Sequence, residues 1–457
     1  MLTTPRSRQD AAADVRACAA SAPTAGPWVA GTWKSFPTPD RRILGASIGL
    51  QLVLATLFGH AYDMRVFMAT GYLVGTGQNP YVPQNLVGVF HHVYFTSLTT
   101  VGYPPPWPLV LGLLYRSSFA LGHDFLVYNL AIKLPVIAAN VGLAYLVAAI
   151  LQNLGASPAV SRRAWVFVLL NPLLLYFGAA WGQIDSIVAL LAMAALALVF
   201  ARRWGPSALV LALAVCVKPT AVPVALAAVA YLADTSWRRA GRYAAVFLGG
   251  VLTFYVAPFF IFGWSTSLVS RRWNAEFITS GGLTSMTVAR LFRDPLVLTG
   301  RWWLLGLAWV PALVLGVLAL RRGDGGFDDL LKKSTALVLI FFLTRTWLSE
   351  PNVVLLLPLV LILTAHGELD RRALTAVWLI PLAFTLFNAS PLQLLWAAFP
   401  GEMERSLAWV ARYHVATLTA RAAIVIAWQV AGWWIVVACL RRSPARAQAP
   451  AAEAVVP

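Results

Sequence analysis

Charge is what this 457-residue chain has least of: 12% of its residues are Asp, Glu, Lys or Arg, against 59% hydrophobic. A soluble domain carries about 25% charged residues, so too little is present to wet a globular surface. That excludes an ordinary cytosolic enzyme, a nucleic-acid-binding domain and a disordered chain, and it points to a polytopic membrane protein. Cysteine is equally scarce. Cys18, Cys216 and Cys439 are scattered, which excludes a disulfide framework and a C-x-x-C metal pair. Acids fall short of bases, 18 against 35, leaving a net charge of +17. In a membrane protein such an excess belongs to Lys and Arg kept in cytoplasmic loops, so no nucleic-acid partner is expected. Residues 1–42 are polar and mixed, without an apolar core, and no cleavable signal peptide is expected there. The arm 1–42 and the Ala/Pro-rich tail 441–457 are expected to be disordered and cytoplasmic.

What is abundant is apolar sequence. Thirteen apolar segments lie near 43–60, 106–121, 125–152, 164–180, 186–201, 206–217, 219–233, 243–262, 301–320, 334–347, 351–366, 373–389 and 415–440. Basic clusters at Arg41/Arg42, Arg162/Arg163, Arg202/Arg203, Arg238/Arg239/Arg242, Arg321/Arg322 with Lys332/Lys333, Arg371/Arg372 and Arg441/Arg442 are assigned to the inside. The short segment 106–121 opens on Pro104-Pro105-Pro106 and contains Arg116; it is expected to lie along the outer interface. The stretch 206–233 is flanked by inside clusters on both sides and must be a hairpin. Its midpoint is Val217-Lys218-Pro219, where Pro removes a backbone donor and Lys cannot sit unpaired in lipid. The expected fold class is all-α: a polytopic membrane helical bundle of about twelve transmembrane helices over 43–440, with both termini cytoplasmic. Its outer side carries 61–124, 263–300 and 390–414, with short corners at 181–185, Lys218 and 345–350.

The outer side also carries the ionisable residues. Asp63 lies just past the first crossing and is one of two acids in 61–124, the other being Asp124. A lone carboxylate there is either a solvated turn or cap residue or a reactive group. Asp185 follows Trp181-Gly182-Gln183-Ile184 and opens an apolar helix, where an N-cap is the plainer role. Arg345 and Glu350 occur in Thr344-Arg345-Thr-Trp-Leu-Ser349-Glu350-Pro351-Asn352 and are candidates for a mutual ion pair. Ionisable groups at membrane depth mark functional sites, and Lys218, Arg345, Glu350 and Asp185 fall at one depth. His91-His92 lacks the neighbours of a metal site. Ser280-Gly281-Gly282-Leu283-Thr284-Ser285 is either a flexible loop or a backbone cradle for phosphate. Lys133 and Arg421 sit inside apolar segments and are expected to snorkel or pair. No D-x-D, H-x-x-x-H or P-loop spelling is present.

Taken in order, four stretches resemble the glycosyltransferase C superfamily of integral membrane enzymes, and within it the polyprenol-phosphate-mannose-dependent mannosyltransferases. They are Asp63 with Gly77-Gln-Asn79-Pro80-Tyr81 and Tyr103-Pro104-Pro105; Asn171-Pro172 with Trp181-Gly182-Gln183-Ile184-Asp185; Lys218-Pro219; and Ser349-Glu350-Pro351-Asn352 before Leu355-Leu-Leu-Pro358. The resemblance spans roughly residues 43–360. It implies a multi-spanning bundle whose first outer loop holds amphipathic helices. It also implies transfer of a sugar from a polyprenyl-phosphate donor to a glycolipid or glycan acceptor on the extracytoplasmic side.

The family's acidic residue of the first loop falls on Asp63, which becomes the expected general base of an inverting transfer. Lys218 and Arg345 are the expected ligands of the donor phosphate. Asp185, Gln183, Tyr103, Tyr81, Glu350 and Asn352 are expected to bind substrate or support these groups. Relatives that use pyrophosphate donors carry a second acidic pair and a metal; here the second position offers Asp185 alone, and no metal or other cofactor is expected. A transporter or flippase of a lipid-linked saccharide would also place charges at membrane depth. Against it stand the long loop 61–124 and the lack of a two-fold internal repeat. An inactive polymer-assembly partner is the third class.

Overall fold

The computed structural model describes residues 40–82, 85–90, 95, 102–264, 281–294, 305–320, 325–388 and 390–441. The N-terminal arm to residue 39, the tail from 442, Cys18, His91-His92, Ser280 and the pair Arg321/Arg322 lie outside them. Within them the chain is helical almost throughout, as the apolar periodicity requires.

Helix α1 (Arg41–Leu57) starts where the Asp40 carboxylate accepts the amides of Arg42 and Ile43. It stops at Leu57, and the chain turns by 86° into α2 (Ala61–Gly75). The segment expected to lie flat is α3 (Pro106–Ser117), opened by proline at its first turn. It packs on α2 at very close range. A methyl group on Gly71 would come within 2.1 Å of the Tyr128 hydroxyl and 2.7 Å of the Leu111 carbonyl, so only glycine fits. Arg116 Nε donates to the Gly75 carbonyl at 2.6 Å, covering the C-terminal end of α2 with a cation. An Arg that looked out of place in an apolar segment thereby fixes the angle between α2 and α3.

Helix α4 (Phe125–Asn153) is the longest, and its polar residues share one face. Asn129, Lys133 and Asn140 are spaced by four and seven residues, one and two helical turns, which places them along a single stripe. All three are buried. Asn140 Nδ2 donates to Gln51 at 2.8 Å, and Gln51 to Ser47. Asn129 Nδ2 reaches the carbonyls of Ala55, Thr56 and Phe58 at 2.8–3.1 Å. Lys133 does not snorkel. Its Nζ, fully buried, donates to the carbonyls of Ala55 (3.0 Å), Phe58 and Ala180 (3.1 Å). The last carbonyls of a helix have no partner within it. For α1 that partner is the polar stripe of α4.

Helix α5 (Pro158–Leu170) is capped by Ser157 and continues through Pro172 into a wide turn, Leu175–Trp181. Gly182, at φ +96°, ends it. Then come α6 (Asp185–Phe200), α7 (Trp204–Val217) and α8 (Val222–Thr235), with the expected break falling at Lys218-Pro219. Helix α9 (Trp237–Val251) runs on to Phe262. Next are α10 (Trp309–Ala319), α11 (Phe327–Thr344), α12 (Leu356–Ala365), α13 (Arg371–Phe387), α14 (Pro400–Arg412) and α15 (His414–Leu440).

Among the described residues, four single helices are long and apolar enough to cross a membrane: Phe125–Asn153, Pro158–Trp181, Trp237–Phe262 and His414–Leu440; α1 with α2 makes five if the bent pair counts as one. Five further apolar helices have 10–17 residues, and at 1.5 Å per residue they fall short of ~30 Å. These helices, among the described residues, do not confirm the expected count of about twelve spans.

The two ends of α11 differ in character. Near its start Lys333 pairs with Asp329 and Asp234, Lys332 with Glu368, and His366 joins Asp328 to the Leu154 carbonyl. Eighteen residues later, about 27 Å on, the helix ends at Arg345.

Lys133→Met keeps the length of the side chain but removes the donor from three carbonyls. Hydrogen bonds from charged donors, discounted for a membrane interior, put the loss at roughly 2–4 kcal/mol. Thermal melting in detergent, with Asn153→Ala as a surface control, measures it; an unchanged midpoint removes the clamp from the account.

Candidate functional site

Asp63 occupies the third position of α2, where helix dipole and free amides favour a carboxylate. His60 caps the same helix by accepting the Asp63 amide on Nδ1 at 3.4 Å. The side chain turns toward the corner between α5 and α6. Its Oδ2 accepts the Trp181 indole N–H at 2.6 Å and the Gln183 amide at 2.7 Å, and lies 3.2 Å from His60 Nδ1. Oδ1 takes no hydrogen bond from any described residue, and the side chain keeps 17% of its surface open. Burial on its own pushes this carboxyl up. The His60 ring and the bonds from His60, Trp181 and Gln183 outweigh that and hold it below the ordinary carboxylate range.

The corner is built to aim these donors. Gly182 has a positive φ, and a methyl group there would come within 2.5 Å of Met64 Sδ and 3.0 Å of Lys133 Cε. Residues 181–183 therefore pass close over α2 and α4, with Trp181 on one side of the glycine and Gln183 on the other. The Trp181 ring stacks on His60, centroids 4.2 Å apart and planes 9° off parallel.

Gln183 is the hub. Its Nε2 binds Asp63, while its Oε1 accepts Tyr103 Oη at 3.3 Å and faces Lys218 Nζ at 3.4 Å. Lys218 in turn donates to both oxygens of Asp185, at 2.7 and 2.9 Å. The N-cap role considered for Asp185 is not the one it takes: it is the first residue of α6, its neighbour Ile184 stands at the cap, and its carboxylate faces Lys218. Tyr81 acts one step back. It stacks on Phe259 and donates to the Tyr103 carbonyl at 3.1 Å, setting the backbone from which Tyr103 reaches Gln183.

The other candidates do not join this chain of contacts. Glu350, buried at the turn Glu350–Leu355, accepts Asn388 Nδ2 at 2.6 Å, and Asn388 Oδ1 faces Arg421 at 3.5 Å. A mutual Arg345–Glu350 ion pair is not formed. The Arg345 guanidinium lies over the Phe341 ring at 4.9 Å. Asn352 is buried, and its Oδ1 has no hydrogen-bond partner among the described residues. The Gly281–Ser285 stretch is not an open phosphate cradle. It pairs in parallel with Trp347-Leu348, and the amides of Gly281 and Leu283 are taken by the carbonyls of Thr346 and Leu348.

Reading the residues as a string missed Trp181, His60 and Asn388 as partners of the candidate acids. Nothing separates Trp181 from the other eighteen tryptophans except its place beside Gly182. The spelling Gly45-Ala-Ser47-Ile-Gly49, which matches the G-x-S-x-G of serine hydrolases, is incidental: Ser47 is buried in α1 and donates to the Leu169 carbonyl. No three His, Cys, Asp or Glu side chains gather as metal ligands among the described residues.

Lys218 and Asp185 are both largely buried, so removing one strands the other. Lys218→Met should cost about 3–5 kcal/mol, and Lys218→Met/Asp185→Asn should recover most of it. Melting of the three proteins in one detergent checks this; equal losses in single and double variants rule out a coupled pair.

A family model described as glycosyltransferase family 87 matches residues 102–351, more than half of the chain. No curated protein matches it.

Proposed function

The chain belongs to glycosyltransferase family 87, a GT-C-type family of membrane enzymes, and from that premise we propose that it transfers mannose from a polyprenyl-phosphate donor to a hydroxyl of a glycolipid or glycan acceptor, with inversion, on the extracytoplasmic side. The observation that carries the reading is the state of Asp63. One oxygen is held by Trp181 and Gln183, and the other is open to a substrate.

In this reading the acceptor hydroxyl gives its proton to Asp63 Oδ1 as its oxygen attacks the anomeric carbon. The bond from that carbon to the phosphate oxygen breaks, and its electron pair leaves with the lipid phosphate. A single base suffices for such a displacement; a retaining path needs a second carboxylate acting as nucleophile. The bonds to Oδ2 fix the direction of Oδ1, so part of the ordering entropy is already spent in the resting protein. Charge growing on the phosphate is met by Lys218, seated by Asp185 and in contact with Gln183, and by the Arg345 guanidinium. Gln183 thus touches both the residue that takes the proton and a residue that meets the leaving group. Tyr103 and Tyr81 hold Gln183 from the first loop, while Glu350 and Asn352 line the neighbouring turn as substrate-side support.

Asp63→Asn should lower turnover by roughly 10²–10⁴ while donor binding persists. The assay is transfer from labelled polyprenyl-phosphate mannose to a cell-envelope lipid extract by purified protein. Near-normal transfer by Asp63→Asn removes the base. In the Lys218→Met/Asp185→Asn protein the apparent KM for donor should rise more than that for acceptor, and equal changes exclude Lys218 from the phosphate subsite.

The side of the membrane is tested separately. A cysteine at Asn79 should react with an impermeant maleimide in intact cells, and one at Asp329 only after permeabilisation. The reverse pattern would turn the site toward the cytoplasm.

A further inference from the structure

His60 is the one group around Asp63 that no step of the transfer uses, and its ring nitrogen faces two atoms of opposite character. Nδ1 is 3.4 Å from the Asp63 amide, a donor, and 3.2 Å from Asp63 Oδ2, an acceptor. With Nδ1 unprotonated the neutral ring accepts the amide and carries its proton on Nε2, whereas the Nδ1–H tautomer, like the cation, faces Oδ2 as a donor. A protonated Nδ1 can only donate, and its target is Oδ2. We propose that His60 is the positioning residue of the candidate base: as a neutral ring it orders Asp63 and Trp181 with Oδ1 left reactive, and as a cation it bonds to Oδ2 and suppresses the base.

Three contacts make the ring a brace. It caps α2 through the Asp63 amide, its own amide donates to the Trp181 carbonyl at 3.2 Å, and its face stacks on the Trp181 indole. The indole N–H and the imidazole therefore approach the same carboxylate oxygen from one stacked unit. A charged ring would add a third bond to Oδ2, which already accepts two, and a charge-assisted bond is about twice as strong as a neutral one. A carboxylate so held is a weaker base. The charged groups facing His60 are Asp63 on its own helix and Glu350 from the turn Glu350–Leu355, which is within electrostatic reach. Arg421 of α15 approaches Glu350 through Asn388, while Lys218 is taken up by Asp185.

The inference rests on the reading of Asp63 as base, and its test separates the two. His60→Asn keeps a side-chain oxygen able to accept the Asp63 amide, since Asn caps helices well, but it cannot be protonated. In wild type, turnover should fall over the acidic interval in which the His60 ring takes up its proton. His60→Asn should turn over several-fold more slowly at neutral pH, because the stacked ring is gone, and its profile should be flat across that interval. His60→Ala, lacking cap and ring, should lose roughly ten- to a hundred-fold. In parallel, ¹³Cε1-histidine spectra of the full-length protein in detergent, with His60 identified by its loss in His60→Asn, should show the His60 resonance titrating with the activity. The Trp181 indole proton should shift with it.

An acid limb that survives in His60→Asn, or a His60 resonance that stays still across the limb, overturns the proposal. If the two resonances move together and no preparation transfers sugar, the paired states of His60 stand and the glycosyl-transfer reading falls.

Discussion

The arrangement depends on one contact: the buried ammonium of Lys133 on the carbonyls that end α1. Together with Asn129 it occupies the carbonyls of Ala55, Thr56, Phe58 and Ala180. Without a partner, those oxygens would each carry the cost of a desolvated polar group. Their satisfaction lets α1 stop at Leu57 and the chain bend by 86° inside the bundle. The Ala180 carbonyl is bound by the same ammonium, so the turn that carries Trp181 is tied to the bend that carries His60 and Asp63. Two pieces of chain 118 residues apart thereby meet at hydrogen-bonding distance.

From that meeting the rest follows as a relay of polar groups. Trp181 and Gln183 share Asp63, Gln183 shares Lys218 and Tyr103, and Lys218 is balanced by Asp185. Each side chain has its hydrogen bonding largely met by its neighbours, so the network holds its shape beside an apolar bundle. The exception is Asp63 Oδ1, which has no donor among the described residues, and an unmet acceptor at an otherwise satisfied carboxylate is where a hydroxyl would bind. A second polar group, Glu350 with Asn388 and Arg421, lies close enough to act on His60 electrostatically.

Much of this was legible in the chain. Scarce charge and thirteen apolar segments gave a helical membrane protein, and Lys218-Pro219 gave the break between α7 and α8. The string Trp181-Gly182-Gln183-Ile184-Asp185 gave the corner. The motifs resembling a glycosyltransferase from Tyr103 to Pro351 fall within the family match over 102–351, while Asp63 and residues 77–81 precede it. Legibility has a physical basis here: hydropathy is a local property, and a proline or a charge in an apolar run marks a break wherever the run lies. Less legible was the number of crossings. A span is a matter of helix length in space, and glycine-directed turns and capped breaks divide an apolar run without changing its composition.

What sequence could not carry was pairing. The Arg345–Glu350 ion pair was the natural reading of two charges five residues apart, yet Asn388 of the end of α13 takes Glu350. Asp185 reads as a helix cap or, with Glu350, as a candidate anionic partner of Lys218, and it takes the second role. Lys133 reads as a residue that snorkels or pairs, and it pairs, fully buried, with backbone carbonyls. In each case the deciding partner comes from another element of the chain, 33 or more residues away, and burial makes leaving a charge or carbonyl unpaired costlier than any local preference. Composition and apolar periodicity determined that this protein is a helical bundle with helices apolar enough to span a membrane and a carboxylate just past its first apolar segment. The tertiary structure decided which donors that carboxylate meets and which of its two oxygens stays free, because hydrogen bonds between distant helices are set by packing alone.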